Sequence, residues 1–363
     1  MTKYKEGNPW SPIRFLASLL LCTLTAMGQQ DMALSPAAEI DVRTVAGKYY
    51  QLESSTQLNG GTWLPVGLAI EGTGQRFSKL VSIKSDQKKF WRVRELSNQW
   101  AMVWHDEFDG DRLDLSKWGK EENNYGGGNN EAQHYSTLEK YVQVSDGKLK
   151  IHVYRDAFTT PDGQKRPYSS GRIRTLQRAD FLYGRFEVSA KVPSGQGIWP
   201  AVWMLPSVRD YGTWASGGEI DIMESRGSLI NETLGTIHFG SSWPNNTYKG
   251  GSYSLPEGNF ADGFHTYVVD WYEDRIEWWV DGVRWQTIRK DEWFSDPEKW
   301  NVSAASVSDP SLPPFDKPFH LIVNVAVNGA FFNGTSQDAN ALPDSAFPQT
   351  LELDYIRVYK WAR

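Results

Sequence analysis

The amino-acid sequence predicts an all-β protein: a two-sheet antiparallel β-sandwich of jelly-roll type, preceded by a small β module. Three observations point there. Runs of β-branched and aromatic residues recur along the 363-residue chain, with almost no stretch of helical apolar period. Ten or more such runs follow Trp100 without intervening helices, which favours packed antiparallel sheets over a parallel α/β fold. Asp281-Gly282 separates two of the runs by two residues, the pattern of a tight hairpin.

The chain opens with Lys3, Lys5 and Arg14 ahead of the apolar stretch Phe15 to Met27, with Ala26 and Gly28 near its end. Residues 1–28 thus read as an export signal, and the protein is expected outside the cytoplasm, extracellular or periplasmic. Thirteen apolar residues are too few to span a bilayer, which takes about 20, and no later segment is longer. The single cysteine, Cys22, falls inside this leader, so the mature chain is expected to have neither disulfide nor thiol nucleophile.

Residues 29–97 form the small β-rich module, of unknown role. Its expected strands are Glu39–Val45, Tyr49–Ser54, Trp63–Glu71, Phe77–Ile83 and Phe90–Glu95. Trp63 and Trp91 suit either sugar stacking or a miniature core. Residues 98–363 make the larger domain. Expected strands there are Leu149–Tyr154, Tyr183–Val192, Trp199–Leu205, Glu219–Glu224, Leu234–Gly240, Phe264–Trp271, Arg275–Val280, Arg284–Ile288, His320–Val327 and Leu351–Tyr359.

Composition narrows the partners. A formal charge of −6 would repel nucleic-acid phosphates. Seventeen Trp, 16 Tyr and 16 Phe exceed what a core of this size needs, so part of them should line a groove. Six scattered histidines without a His-x-x-x-His pair argue against a catalytic transition metal.

The chemistry concentrates in Gly218-Glu219-Ile220-Asp221-Ile222-Met223-Glu224. On a strand Glu219 and Asp221 share one face, and Glu224 falls on the apolar one unless a β-bulge inserts an extra residue. With a bulge, three carboxylates line up. Glu219 and Glu224 would then bring their carboxyls to about 5–6 Å, near the roughly 5–5.5 Å of a retaining glycosidase. In such an enzyme one ionised carboxylate attacks the anomeric carbon while a protonated carboxyl donates to the leaving oxygen. Crowded like charges push pKa values apart, so one acid keeps its proton near neutral pH.

This motif resembles the bulged signature of glycoside hydrolase family 16. Gly197-Ile-Trp199-Pro-Ala-Val-Trp203-Met-Leu-Pro206 and Gly235-Thr-Ile-His238-Phe-Gly240 through Trp243-Pro-Asn-Asn246 are similar to its laminarinases, endo-β-1,3-glucanases. Asp106-Glu107-Phe108-Asp109 and Leu353-Asp354-Tyr-Ile-Arg-Val-Tyr359 match the family's boundaries, so the resemblance covers about Trp100 to Lys360. It implies a concanavalin-like jelly roll that hydrolyses internal β-1,3-glucosidic bonds, with Glu219 as nucleophile, Asp221 as its assistant and Glu224 as acid/base. It further implies that Asn129, Glu131, Arg172, Trp199, Trp203, His238 and Trp243 bind sugar, with His238 near Glu224. Catalysis would need no cofactor, and a structural calcium would sit at Glu107, Gly147 and Asp354. The implied partner is a β-glucan acted on by a monomer. Mixed-linkage glucan or a marine galactan are alternative substrates, and a non-catalytic glucan-binding protein is an alternative role. One segment departs from the laminarinase pattern: Ala326-Val327-Asn328-Gly329 stands where Ala-Val-Gly-Gly is usual, followed by Ala330-Phe331-Phe332. Asn231, Asn245, Asn301 and Asn333 lie in Asn-x-Ser/Thr sequons.

Overall fold

The computed structural model describes residues 37–59, 61–82, 89–159, 163, 165–307, 309, 312–332 and 338–362. The expected leader with Cys22, and Asn333, lie outside these residues. The chain divides into two compact units, Met1–Val103 with Lys360–Arg363, and Trp104–Tyr359. No helix among the described residues is long and apolar enough to cross a membrane.

In the first unit Ala37–Arg43 pairs with Arg76–Ser82, and Tyr49–Ser55 pairs with Phe90–Leu96. The expected strand Trp63–Glu71 is instead two short pieces, Leu64–Pro65 and Ile70–Glu71. Gly67, at φ +72, turns the chain between them, a backbone conformation that only glycine adopts cheaply. Trp91 packs on the small core of Ala38, Leu52 and Val81, while the Arg92 guanidinium lies 4.4 Å over the Trp63 ring.

The second unit is an all-β, two-sheet antiparallel sandwich. One sheet runs in the order Asn246–Ser254, Glu232–Gly240, Glu219–Glu224, Ile198–Pro206, Phe319–Val327, Arg172–Arg174 and Gly119–Lys120. The other runs Val142–Ser145, Lys148–Val153, Gln349–Ala362, Gly184–Lys191, His265–Trp271, Arg275–Val280 and Val283–Arg289. Alternation builds the core between them: Ile276, Trp278 and Val280 on one strand and Tyr267, Val269 and Trp271 on its neighbour are at most 2% exposed. Asp281 and Gly282 sit at φ +48 and +79, the positive pair of a type I′ turn, between the paired residues Val280 and Val283.

Register shifts break the alternation at several places, and two of them fall at expected site residues. On the Gln349–Ala362 strand the buried series Leu351, Leu353 jumps by three to Ile356, Val358. The register shift against Gly184–Lys191, where Ala190 faces Leu353 and Ser189 faces Tyr355, leaves Asp354 as the extra, exposed residue. On the acidic strand Asp221 faces Thr236 and Glu224 faces Leu234, so Ile222 and Met223 together oppose Gly235. On its other side Trp203 faces Asp221 and Val202 faces Met223. The bulge required for three acids on one face is therefore present.

That bulge is held from inside the sandwich. The Trp278 indole N–H donates to the Asp221 carbonyl at 2.8 Å, satisfying a backbone acceptor beside the bulge. Trp278 fits because Gly235 has no side chain: a Cβ there would stand 2.3 Å from Trp278 Cδ1. Gln286 Nε2 then caps the Gly235 carbonyl at 3.0 Å.

Gly235→Ala should accordingly destabilise the protein by about 2–3 kcal/mol, since the methyl must displace a fully packed indole, and should lower activity in the folded fraction. Urea unfolding followed by far-UV circular dichroism measures the first. A variant as stable as wild type would mean that Trp278 does not brace the bulge.

Candidate active site

The outer face of the bulged strand floors a cleft of about 730 Å³ lined by Glu219, Asp221, Glu224, Trp199, Trp203, Trp214, Trp243, Asn129, Glu131 and Arg172, among others. Of the expected sugar-binding residues, only His238 is absent from this lining. Glu107 follows the strand Gln99–Asp106, Gly147 lies in the turn between Val142–Ser145 and Lys148–Val153, and Asp354 lies on Gln349–Ala362; none of them lines this cleft.

Each outer carboxyl accepts a hydrogen bond from a tryptophan. Trp214 Nε1 donates to Glu219 Oε2 at 2.9 Å, and Trp199 Nε1 donates to Glu224 Oε1 at 2.9 Å. Asp221, 3% exposed between them, has a carboxylate oxygen, Oδ2, with no hydrogen-bond partner. His238 faces Glu219 across the strand pair, which sets its Nε2 3.6 Å from Glu219 Oε1 and 3.5 Å from Asp221 Oδ2. The resemblance implied that His238 stands by Glu224. The register puts Leu234 opposite Glu224 instead and takes the imidazole to the other end of the triad.

Burial pushes each of the three carboxyls up to about 8; for Glu219 the Asp221 charge adds to burial, and Glu224 gains likewise from Asp221. His238 and the Trp214 N–H oppose the rise at Glu219, and His238 and the Trp199 N–H oppose it at Glu224. A desolvated row of acids cannot hold three charges, so protons remain in the site at neutral pH.

Trp199 is more constrained than a simple sugar platform. Phe331 stacks on its indole with centroids 4.2 Å apart at 8°, and the Arg226 guanidinium lies 5.1 Å from the Phe331 ring. One face of Trp199 is thus occupied from the segment that departs from the laminarinase pattern. Asn328 there adopts φ +58, donates to Asp338 Oδ1 at 2.8 Å, and accepts from the Ala339 N–H at 2.8 Å. A glycine could make neither side-chain bond.

The other end of the cleft is a buried polar network. Trp203 Nε1 donates to Asn324 Oδ1 at 2.7 Å, and Asn324 Nδ2 donates to the Tyr135 hydroxyl at 3.0 Å. Arg172 lies 4.9 Å over the Trp203 ring and 3.2 Å from Glu121. Glu131, 5% exposed, accepts from Gln133 at 2.6 Å and lies 3.5 Å from the Asn129 amide nitrogen. Trp243 stands free, 73% exposed. Trp214, Asn324, Tyr135 and Tyr125 line the cleft without having been expected. Trp214 carried a signal, being a loop tryptophan five residues before Glu219. So did Asn324, an amide inside the apolar run Leu321–Val327.

Comparison with known proteins identifies the lineage. The model of the glycosyl hydrolases family 16 matches residues 129–308. The beta-glucanase of Rhodothermus marinus is 38% identical over 267 residues, covering 72% of this chain and 86% of that protein. The chain belongs to glycosyl hydrolases family 16. A glucan endo-1,3-beta-glucosidase A1 of Niallia circulans is 44% identical over 270 residues, 71% of this chain but only 38% of that protein. Among solved structures, the catalytic domain of an endo-1,3-beta-glucanase (laminarinase) from Thermotoga petrophila superposes with TM-score 0.61 at 34% identity, covering 73% of this chain and 100% of that one.

The raised carboxyls set a stability test. A carboxyl held at about 8 instead of 4.5 favours the folded state below about pH 4.5, and that contribution is lost as pH rises through 8. Glu224→Gln keeps an acceptor for Trp199 and removes the ionisation. Its melting temperature should exceed wild type by a margin that widens between pH 5 and pH 8.5, reaching about 2–4 °C or more. A margin independent of pH in differential scanning calorimetry would contradict the buried-acid reading.

Proposed function

We propose that this family 16 member is an exported endo-acting enzyme that hydrolyses internal β-1,3-glucosidic bonds of laminarin-type glucans with retention of configuration. One observation carries the reading: three buried acids on one bulged strand at the floor of an aromatic cleft, the outer two each held by an indole N–H. The relatives named as endo-1,3-β-glucanases support the linkage, and the basic, apolar leader supports export.

In this mechanism Glu219 attacks the anomeric carbon as the carboxylate. The glycosidic C–O bond breaks, and the Glu224 proton passes to the departing oxygen. A covalent glycosyl-enzyme results, and Glu224, now ionised, takes a proton from water as that water displaces the Glu219 ester. The Trp214 N–H and His238 favour the ionised form of Glu219, the Trp199 N–H, His238 and Arg226 act likewise on Glu224, and the Asp221 charge opposes ionisation of both. Crowding of the acids lets one carboxyl ionise while a neighbour keeps its proton, which is the state the first step requires. Trp199 holds Glu224 in place for both proton transfers. Glucose rings offer apolar faces to Trp203 and Trp243 and hydroxyls to Asn129, Glu131 and Arg172. A curling β-1,3 chain keeps more of these contacts than a straight β-1,4 chain.

Calcium enters the proposal as a structural ion only, at Glu107, Gly147 and Asp354. The Arg357 guanidinium grips both Glu107 carboxylate oxygens, at 2.8 and 2.7 Å, so that residue has its backbone carbonyl to offer. Asp354 projects an exposed carboxylate from its bulge. Gly147 turns at φ +67 two residues before Leu149, the partner of Leu353. Such an oxygen set suits a hard cation. A chelator should then lower the melting temperature without abolishing catalysis in folded protein, provided calcium is first shown bound by elemental analysis; unchanged melting would remove the site.

The decisive assay is kcat/KM on laminarin, mixed-linkage glucan, agarose and κ-carrageenan with one preparation. Laminarin should lead, and preference for a galactan would overturn the substrate. Glu219→Ala should lose activity by several orders of magnitude, and azide should restore cleavage of an activated glycoside, giving the inverted azide. Undiminished activity in that variant would remove the nucleophile.

A further inference from the structure

We propose that Glu219, Asp221 and His238 form a binding site for a borderline-soft divalent cation of the zinc class, and that occupancy reversibly blocks the catalytic centre. The proposal rests on the reading of Glu219 as nucleophile and concerns regulation of that same site.

Among the described residues, this is the one place where three carboxylate or imidazole groups bring donor atoms within 4.8 Å of one another. His105 with Glu107, His134 with Glu122, and His265 with Asp281 are pairs. The separations suit a small ion. Zinc–nitrogen and zinc–oxygen bonds of about 2.0–2.2 Å place tetrahedral donors about 3.3–3.5 Å apart. Here Nε2 of His238 stands 3.6 Å from Glu219 Oε1 and 3.5 Å from Asp221 Oδ2. Those distances are long for hydrogen bonds and natural for ligands sharing a metal.

A second, independent observation points the same way. Asp221 is 3% exposed, yet its Oδ2 has no hydrogen-bond partner, and it is this oxygen that faces the imidazole. A buried carboxylate oxygen without a donor is costly, and a cation would satisfy it. The remaining groups leave the site intact. Glu219 binds the Trp214 N–H through Oε2, which leaves Oε1 for the metal. The imidazole is held between the rings of Trp214 and Tyr248, at centroid distances of 5.4 and 5.7 Å, so its direction is fixed. Glu219 and Asp221 both open onto the cleft, which gives the ion an entry path and a fourth position for water.

The donor set selects the ion. One imidazole and two carboxylates suit zinc, whereas calcium and magnesium need six or more oxygens or near-octahedral oxygen geometry. A metal on Glu219 Oε1 ties up the lone pair that would attack the anomeric carbon. Inhibition follows without any contact to Glu224.

The test uses untagged full-length protein freed of metal. Calorimetric titration with zinc chloride should give one site, and laminarin hydrolysis should fall as it fills and return on adding a chelator, with calcium and magnesium lacking this effect. Cobalt(II) in place of zinc should give the intense visible absorption of a tetrahedral or five-coordinate complex. His238→Ala and Asp221→Asn should each weaken zinc binding at least about tenfold, with folding checked by melting temperature. No zinc binding to wild type would overturn the proposal, as would undiminished binding in a folded His238→Ala or, where that variant fails to fold, in Asp221→Asn. The calorimetric and cobalt arms need no substrate, so a protein that binds zinc but leaves laminarin intact would sink the proposed activity and not this site.

Discussion

The active centre depends on one hydrogen bond inside the sandwich, from the Trp278 indole to the Asp221 carbonyl. A regular strand would send Glu224 into the core beside Ile220 and Ile222, where a carboxyl has no partner. The bulge returns it to the cleft, at the cost of an irregular ladder whose freed carbonyl must find a donor. Trp278 supplies it from the opposite sheet, and only because Gly235 leaves room. Catalytic alignment is thus a property of core packing, two layers away from the substrate.

Above the bulge the same residue type does a different task. Trp199 and Trp214 each present an N–H to one outer acid, holding two carboxyls that burial raises. His238 lies within 3.6 Å of Glu219 and acts on both outer acids, and Arg226 adds its charge at Glu224 from beside Phe331. The two carboxyls therefore share nearly the same influences, and the proton on either one depends on the charge state of the other acids in the row. The stability given up by crowding three acids under solvent-poor conditions is the ordinary trade between rigidity of fold and readiness of a site.

Much of this was legible in the sequence. Runs of β-branched and aromatic residues mark Glu219–Glu224 and Arg275–Val280, whose limits match the expected ones, because both are interior strands with a buried face. The bulge was legible too, since the position of Glu224 is intolerable without it. Asn246–Ser254 was not, because its sequence of polar residues and two glycines has no apolar face to betray it; it is an edge strand with little to bury. The pairing of partners with acids was less legible: His238 was expected in the cleft, but the register across the hairpin that sets it beside Glu219 is not local, and the loop that brings Trp214 to Glu219 is not periodic. The role of Trp278 needs both sheets to be assembled before it exists.

The Gln349–Ala362 strand lies in the interior of its sheet, between Lys148–Val153 and Gly184–Lys191. Its pairing joins residues such as His152 and Thr350, 198 positions apart. Until Leu351 and Leu353 emerge from the ribosome, the strands flanking that gap present bare edges to each other, and the sandwich cannot close. Long-range pairing of this kind folds slowly. For a chain built from its amino end, the delay means that synthesis runs far ahead of folding. A nascent polypeptide in that condition carries an open sandwich whose strand edges stay unpaired until its last long strand arrives.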